Sequence, residues 1–258
     1  MSGCSQQNIE SRNPRIRNPM RLFDAHFHID RGAEGYNLQP QHRNWIFNRT
    51  DQYVEWTAKV PTTDTQTLIF DYKKQEEYVV AEALSGRIQG LKIHSRLMKL
   101  QDHDYPDLFD AYSRLSHLKL PTVIDAFYIG GEMEVQPNLN RIAEMVGLFP
   151  DNTFIIAHAG GIRALEYFLQ LKNFPNVVFE LSLSLSYLKH SSVYADFGVL
   201  LRFADRNRII FGTDFPYVDA QDQLKVFLKM ADDLNISETD RDKILFGNAC
   251  GLFGGLIV

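Results

Sequence analysis

Short apolar runs rich in β-branched and aromatic residues alternate along this chain with longer stretches of helical apolar spacing. Seven runs are predicted as strands: Arg21–Ile29, Thr65–Asp71, Gln89–His94, Pro121–Phe127, Asn152–His158, Asn176–Leu183 and Arg208–Asp214. Apolar residues at intervals of three and four predict helices between and after these strands: Lys74–Leu84, Asp107–Leu118, Leu139–Leu148, Gly161–Leu171, Val193–Ala204 and Gln221–Leu234. This alternation is typical of parallel β-α-β units whose strands are buried on both faces.

The order and number of these elements favour an α/β fold of the (β/α)₈ TIM barrel type in a single domain. An eighth strand is expected near 45–47, and Ser237 followed by Asp240 indicates the capped start of a terminal helix through Leu245. A barrel of this kind takes about 250 residues, and the chain has 258. A doubly wound open sheet is the alternative, although no glycine-rich phosphate-binding loop follows any predicted strand.

Composition and charge restrict the partners and the compartment. The net charge is −5, which argues against nucleic acid because phosphate binding needs clustered Lys and Arg. No apolar run approaches the roughly 20 residues of a membrane span, and two cysteines, Cys4 and Cys250, do not suggest a disulfide framework. We expect a cytoplasmic protein without a nucleic-acid or membrane partner, with residues 1–20 as a poorly ordered arm and residues 21–258 as the barrel.

Histidines and aspartates gather where the predicted strands end. The strand-end residues of this kind are His26, His28, His94, His158, Asp125 and Asp214. The carboxyl ends of barrel strands carry the loops that build active sites. Residues two apart on a strand share a face, so Asp24, His26 and His28 are expected to point the same way, and two imidazoles so spaced can hold one metal ion. Each feature alone can arise from packing or helix capping; together they predict one shared polar site.

Five short segments resemble the amidohydrolase-related family, which belongs to the metal-dependent hydrolase superfamily of TIM barrels. The segments, in chain order, are DAHFHID (24–30), GLKIH (90–94), IIAHAGG (155–161), FGTDFP (211–216) and ILFGNACGLF (244–253). They span roughly residues 21 to 253. The family includes metal-dependent hydrolases, lactonases that work without metal, and nonoxidative decarboxylases. The region between strands one and three is shorter here than in such relatives.

The resemblance implies a role for each matching residue. His26 and His28 would be metal ligands, and Asp214 would bind the metal or carry protons. His158 would polarise the substrate or stabilise developing negative charge. His94 matches a histidine whose role varies in the family and is a candidate for substrate binding.

One position departs from the family pattern, and three cations are further candidates. Relatives usually carry a ligating histidine on the fifth strand where this chain has Asp125, so Asp125 is expected as a fourth metal ligand. Lys92 lies on the same face of its strand as His94 and could meet an anionic substrate. Arg96 and Arg163 each follow a strand end and could hold a substrate carboxylate.

These observations predict a metal-dependent hydrolase of a small carboxylate-bearing amide, ester or lactone. The divalent metal is most simply Zn²⁺, with Mn²⁺ or Fe²⁺ as alternatives; a metal-free pair of carboxyl groups sharing a proton is the other form. Decarboxylation of an aromatic or unsaturated acid at the same site is the second hypothesis. A barrel without catalysis that binds a ligand or protein is the third. A homo-oligomer is compatible with all three.

Overall fold

A computed structural model describes residues 20–28, 34–129 and 139–253. Residues 1–19 of the predicted arm, with Cys4, lie outside that description. Eight parallel strands form one sheet in sequence order. The strands are β1 (Phe23–Phe27), β2 (His42–Phe47), β3 (Thr65–Ile69), β4 (Gly90–Ile93), β5 (Thr122–Ile124), β6 (Phe154–Ile156), β7 (Val177–Glu180) and β8 (Ile209–Ile210).

Helices follow most of the strands, as the apolar spacing predicts. The α-helices are α1 (Thr50–Trp56), α2 (Tyr72–Leu84), α3 (Ser95–Met98), α4 (Tyr105–Leu115), α5 (Leu139–Leu148), α6 (Ala164–Leu171), α7 (Ser184–Tyr187), α8 (Tyr194–Phe203), α9 (Ala220–Asp233), α10 (Glu238–Asp242) and α11 (Asn248–Phe253). The 3₁₀ turns are Thr57–Lys59, Asp102–Asp104, Ser116–Leu118, Ala157–Arg163 and Arg206–Arg208, and Lys243–Gly247 is a π-helical turn. Among the described helices, none is long and apolar enough to cross a membrane.

Hydrogen bonds between the segment after β8 and β1 bring the two ends of the sheet together. The Ala25 amide donates to the Phe211 carbonyl at 3.1 Å, the Asp214 amide to the His26 carbonyl at 2.7 Å, and the His28 amide to a carbonyl of the β8 segment at 2.9 Å. The (β/α)₈ barrel is therefore confirmed over the open sheet. The eighth strand predicted near 45–47 is β2.

Alternating side chains divide the barrel interior into an apolar floor and a polar upper level. Val123, Ile155 and Val178 are in register on β5, β6 and β7, and they belong to a buried cluster with Ala249 and Phe253 of α11. Side chains two positions further along a strand point the same way. The residues two positions after Val123 and Val178 are Asp125 and Glu180. The polar site therefore begins one layer above an apolar core.

Two helices differ from the sequence prediction. The helix expected to start at Gly161 starts at Ala164, because His158 to Gly161 all have positive φ and cannot continue a right-handed helix. The terminal helix expected through Leu245 is instead α10, the π turn and α11, which extends to Phe253. This extension carries Phe253 against Phe23, with ring centroids 5.9 Å apart.

Candidate active site

Three ligand atoms meet at the carboxyl ends of β1 and β8. His26 Nε2 and His28 Nε2 are 3.2 Å apart, and Asp214 Oδ1 lies 3.3 Å from the first and 3.2 Å from the second. All three residues are at most 4% exposed. The triangle is nearly equilateral, and its three residues are among the strand-end residues expected to form one polar site.

The hydrogen-bond partners of Nδ1 explain why both imidazoles direct Nε2 into the triangle. His26 Nδ1 lies 2.9 Å from the Glu180 carboxylate, and His28 Nδ1 lies 2.8 Å from the Ile46 carbonyl. Since a carbonyl and a carboxylate accept, each Nδ1 carries a proton, and in the neutral form of each ring the lone pair is at Nε2. Two lone pairs and a carboxylate oxygen therefore face one point.

This donor set fits a divalent cation. A tetrahedral ion about 2.0 Å from each donor needs donors about 3.3 Å apart, which matches the three distances between His26, His28 and Asp214. Without a cation, three acceptors at this separation repel one another. Lys92 Nζ is 3.3 Å from His26 Nε2 and brings one positive charge to the edge of the triangle.

Asp125 meets two histidines rather than the triangle. Its Oδ1 lies 3.4 Å from His158 Nε2 and its Oδ2 lies 3.5 Å from His94 Nδ1. Among the described residues, two groups bring three ligand atoms within 4.8 Å of one another; they are His26, His28 and Asp214, and His26, His158 and Glu180. Asp125 is in neither group, and its role as a fourth ligand stays a prediction.

Burial and neighbouring charges separate the protonation states of the site. Burial, reinforced by Lys92, holds the pKa of His26 well below its usual range. Burial lowers the pKa of His94 to about 3, although Asp125 opposes it. Burial would lower the pKa of His158 as well, but the bond to Asp125 and nearby carboxylates raise it. Burial would raise the pKa of Asp125, yet His94 and His158 hold it below its usual range. The site thus combines neutral His26 and His94 with a charged His158–Asp125 pair.

Glu180 and Ser182 complete the polar level from β7 and the segment after it. The Ser182 hydroxyl donates to Glu180 Oε2 at 2.7 Å and lies 2.9 Å from His158 Nδ1. Burial raises the pKa of Glu180 to about 7, while hydrogen bonds from Ser182 favour the ionised form. Sequence reasoning missed both residues; the available signal was a Glu-x-Ser pair on the inward face of an otherwise apolar strand.

Asp24 does not share the face of His26 and His28, contrary to the alternation expected from sequence. Its carboxylate accepts hydrogen bonds from Thr213 N at 2.8 Å, Thr213 Oγ1 at 2.6 Å and the Tyr36 hydroxyl at 2.8 Å. The cause is an irregularity in β1, whose pairing register with β2 shifts between Asp24 and Phe27. One extra residue in a strand reverses the face of all later side chains.

Two of the candidate catalytic residues have strained backbones. His158 has φ 59° and Asp214 has φ 61°, a left-handed conformation that is uncommon for residues other than glycine. The Ser184 hydroxyl donates to the His158 carbonyl at 2.8 Å, and the Asp214 amide is bonded to β1. These hydrogen bonds stabilise the left-handed backbone at both residues, whose side chains line the cavity. Backbone strain of this kind often occurs at functional sites.

A cavity of about 390 Å³ opens above these groups. Its polar lining includes His28, His94, His158, Asp125, Asp214, Lys92, Arg96, Asn48 and Tyr217, and its apolar wall is Leu97, Phe127, Ile129, Leu183 and Tyr187. A compartment of this size and mixed lining suits one small molecule with an apolar body and polar ends.

The two candidate arginines lie in different places. Arg96 lines the cavity from α3 and is exposed; no carboxylate within the described ranges forms an ion pair with it. Arg163 lies outside the cavity lining, with its guanidinium 4.4 Å from the centre of the Tyr128 ring and 3.8 Å from Glu166. Strand-end position alone could not distinguish them, and substrate binding by either stays a prediction.

The chain belongs to the amidohydrolase family, whose sequence model matches residues 72–255. No curated protein matches it by sequence. Its fold is similar to an amidohydrolase from Burkholderia multivorans with bound HEPES, at 17% identity and a TM-score of 0.65 over 91% of this chain and 99% of that one. The Burkholderia amidohydrolase has also been solved with bound zinc.

Two further solved structures share the fold. One is a probable 2-pyrone-4,6-dicarboxylic acid hydrolase from Acinetobacter baumannii with citric acid bound, at 15% identity and a TM-score of 0.65 over 91% of this chain and all of that one. The other is a 2,6-dihydroxybenzoate decarboxylase complexed with 2,6-dihydroxybenzoate, at 14% identity and a TM-score of 0.61 over 91% and 98% of the two chains. At these identities the likeness extends to the fold alone.

Proposed function

We propose that this protein is a metal-dependent hydrolase of a C–N or C–O bond in a small carboxylate-bearing substrate. The observation that carries the proposal is the triangle of His26 Nε2, His28 Nε2 and Asp214 Oδ1, with edges of 3.2 to 3.3 Å. These three residues would hold a divalent ion, with Zn²⁺ the simplest choice for two imidazoles and one carboxylate. When bound, such an ion polarises a carbonyl and makes water a better nucleophile.

The chain's own groups supply the remaining steps. Asp214 takes a proton from the attacking water on its carboxylate and returns it to the leaving atom. His158 is held between Asp125 and Ser182, and its Nε2 proton is shared between Asp125 and the oxygen on which negative charge develops. The neutral His94 beside Asp125 forms part of the surface that meets the substrate.

Substrate selection rests on charge and shape. Arg96 at the cavity edge, with Lys92 deeper in it, favours a carboxylate, and the wall formed by Phe127 and Tyr187 favours a flat or apolar body.

Arg96→Met should raise KM for a carboxylate-bearing substrate about tenfold or more, since hydrogen bonds to charged groups contribute about 1.5–3 kcal/mol. The control, Arg202→Met on α8, should leave KM unchanged; an unaltered KM in the Arg96 variant would remove it from the substrate site.

Elemental analysis of protein purified without added metal or chelator tests the metal. About one equivalent of zinc, manganese or iron is expected, and this should fall sharply in His28→Ala. Wild-type protein that neither retains nor takes up a divalent ion would overturn the metal-dependent reaction.

Product analysis tests the reaction with a panel of small lactones, esters, amides and unsaturated acids that carry a carboxylate. A ring-opened or deamidated acid supports hydrolysis. Release of CO₂ would replace it with the decarboxylase hypothesis, and saturable binding without turnover of any panel member would support the non-catalytic barrel.

A further inference from the structure

One carboxylate in the barrel wall contacts both halves of the site. Glu180 Oε2 lies 2.9 Å from His26 Nδ1 and 2.7 Å from Ser182 Oγ, and Ser182 Oγ lies 2.9 Å from His158 Nδ1. All four residues are at most 3% exposed. A continuous path of hydrogen bonds therefore joins His26, one corner of the triangle formed with His28 and Asp214, to His158.

We propose that Glu180 and Ser182 are a positioning pair that sets the proton positions of His26 and His158. The inference rests on the proposed metal site and deepens it. The Glu180 carboxylate accepts the Nδ1 proton of His26 and so leaves the Nε2 lone pair for the metal. Ser182 has one hydroxyl proton and donates it to Glu180, so its oxygen accepts from Nδ1 of His158. That arrangement keeps a proton on the buried side of His158 and turns its Nε2 toward Asp125.

The pair is held rigidly enough to have this effect. Glu180 Oε1 accepts the Ser182 backbone N–H at 2.6 Å, so both carboxylate oxygens are fixed. Just after β8, which lies between β7 and β1, a Cβ on Gly212 would lie 2.5 Å from Glu180 Oε1 and 2.8 Å from His26 Cβ. The absence of a side chain at Gly212 lets β7, β8 and β1 approach closely enough for Glu180 to reach His26.

A buried carboxylate whose only role is to hydrogen-bond its neighbours would affect stability alone. A positioning residue would also change the metal affinity of the folded protein. Zinc affinity is measured by competition with a chromophoric chelator, without any substrate. Glu180→Gln should bind zinc about 10–100-fold more weakly, because a neutral amide beside Nδ1 makes the Nε2 atom of His26 a weaker metal ligand. Ser182→Ala, which leaves the Glu180–His26 bond in place, should bind zinc as wild type does.

Glu82→Gln is the matched control. Glu82 is a buried glutamate on α2 that accepts from Tyr53 and Arg87 outside the site, and its variant should keep wild-type zinc affinity whatever its melting temperature. Equal affinity of wild type and folded Glu180→Gln would overturn the inference and leave the metal proposal standing.

A second measurement needs neither metal nor turnover. Histidine-selective ¹⁵N NMR of metal-free wild type, assigned with His26→Gln and His158→Gln, should report the Nδ1–H tautomer for His26. In Ser182→Ala the His158 signals should shift while those of His26 stay. A His26 ring protonated at Nε2 instead would overturn the inference. A protein that fails to bind zinc but has the expected tautomer would refute the metal proposal and support the positioning role.

Discussion

At the residue scale, the partner at Nδ1 separates three histidines that look equivalent in sequence. His26 has Glu180, His28 has a backbone carbonyl, and His158 has Ser182. In the neutral form the first two have their lone pair at Nε2. The third faces Asp125 and stays protonated, so neighbouring histidines can serve opposite roles, as ligands and as a donor to the substrate.

Asp214→Asn tests the residue that would both bind metal and carry the proton. The amide keeps the shape but neither accepts a proton as a base nor binds metal as well, so turnover should fall on the order of 10²-fold or more. The melting temperature should stay close to wild type. The control is Asp151→Asn, an exposed aspartate just before the amino end of β6, whereas the site lies at the carboxyl ends of the strands. Near-normal turnover in Asp214→Asn would exclude the proposed role.

His94 should make the protein less stable in mild acid. Its pKa is lowered from 6.5 to about 3 by burial, so between those values the unfolded chain binds a proton that the folded protein does not. Stability is then lost as pH falls below about 6.5. The groups acting on His94 are Asp125, Lys92, Arg96 and His158, and they remain in the variant.

The measurement compares wild type with His94→Asn by urea unfolding at pH 7, 6 and 5. The free energy of unfolding of wild type relative to the variant should fall by about 2 kcal/mol between pH 7 and pH 5. The exposed His117→Asn should show no such difference. Parallel pH profiles for wild type and His94→Asn would mean that His94 is not held neutral by burial.

At the scale of elements, the junction of β7, β8 and β1 determines the site. The irregularity in β1 turns Asp24 to Thr213 and His26 into the barrel. The hydrogen bonds between β1 and the segment after β8 then place Asp214 against both His26 and His28. Close approach at Gly212 allows β7 to contribute Glu180 to this junction.

Gly212→Ala should disturb that junction. Its Cβ would meet Glu180 and the backbone and Cβ of His26 at 2.5 to 3.0 Å, and such overpacking costs about 1–3 kcal/mol. Zinc affinity should fall as well, because His26 is displaced. The Cβ of Gly198→Ala in α8 meets no atom of the described residues within 4 Å, and this variant should gain about 0.5–1 kcal/mol in helix stability. Denaturant unfolding and chelator competition measure both; unchanged stability in Gly212→Ala would refute the close packing.

At the scale of the whole molecule, the two ends of the barrel differ in polarity. The upper level is polar and opens into the cavity. The lower level is apolar and is covered by α11, whose Phe253 is fully buried against Phe23. This separation is the usual one in the fold, where stability and catalysis belong to opposite ends of the strands.

Phe253→Ala tests that separation. Removing a fully buried phenylalanine should cost about 3–5 kcal/mol of unfolding free energy, while zinc affinity stays at the wild-type value because the triangle is at the other end. Phe203→Ala, at a side chain 69% exposed, should cost far less. Weakened zinc binding in a folded Phe253 variant would show that the two ends are coupled.

The sequence by itself predicted the barrel and the strand-end residues His26, His28 and Asp214 that form the triangle. Strand and helix periodicity are local properties, and in a parallel barrel the carboxyl ends of all strands must lie together. His26, His28, His158 and Asp214 could therefore be grouped from their positions alone.

Only the tertiary structure decided which partner each polar group meets. Glu180 is 154 residues from His26, and the sequence around a Glu in an apolar strand does not indicate which side chain of a nearby strand it contacts. Register likewise depends on strand pairing, so the irregularity that diverts Asp24 could not be predicted. The position of Arg163 over the Tyr128 ring could not be predicted either. Periodicity locates each strand in the sequence and so indicates which side chains lie at its carboxyl end. The hydrogen bonds of those side chains depend on interatomic distances to within a few tenths of an ångström, and these distances are set only when all eight strands are packed together.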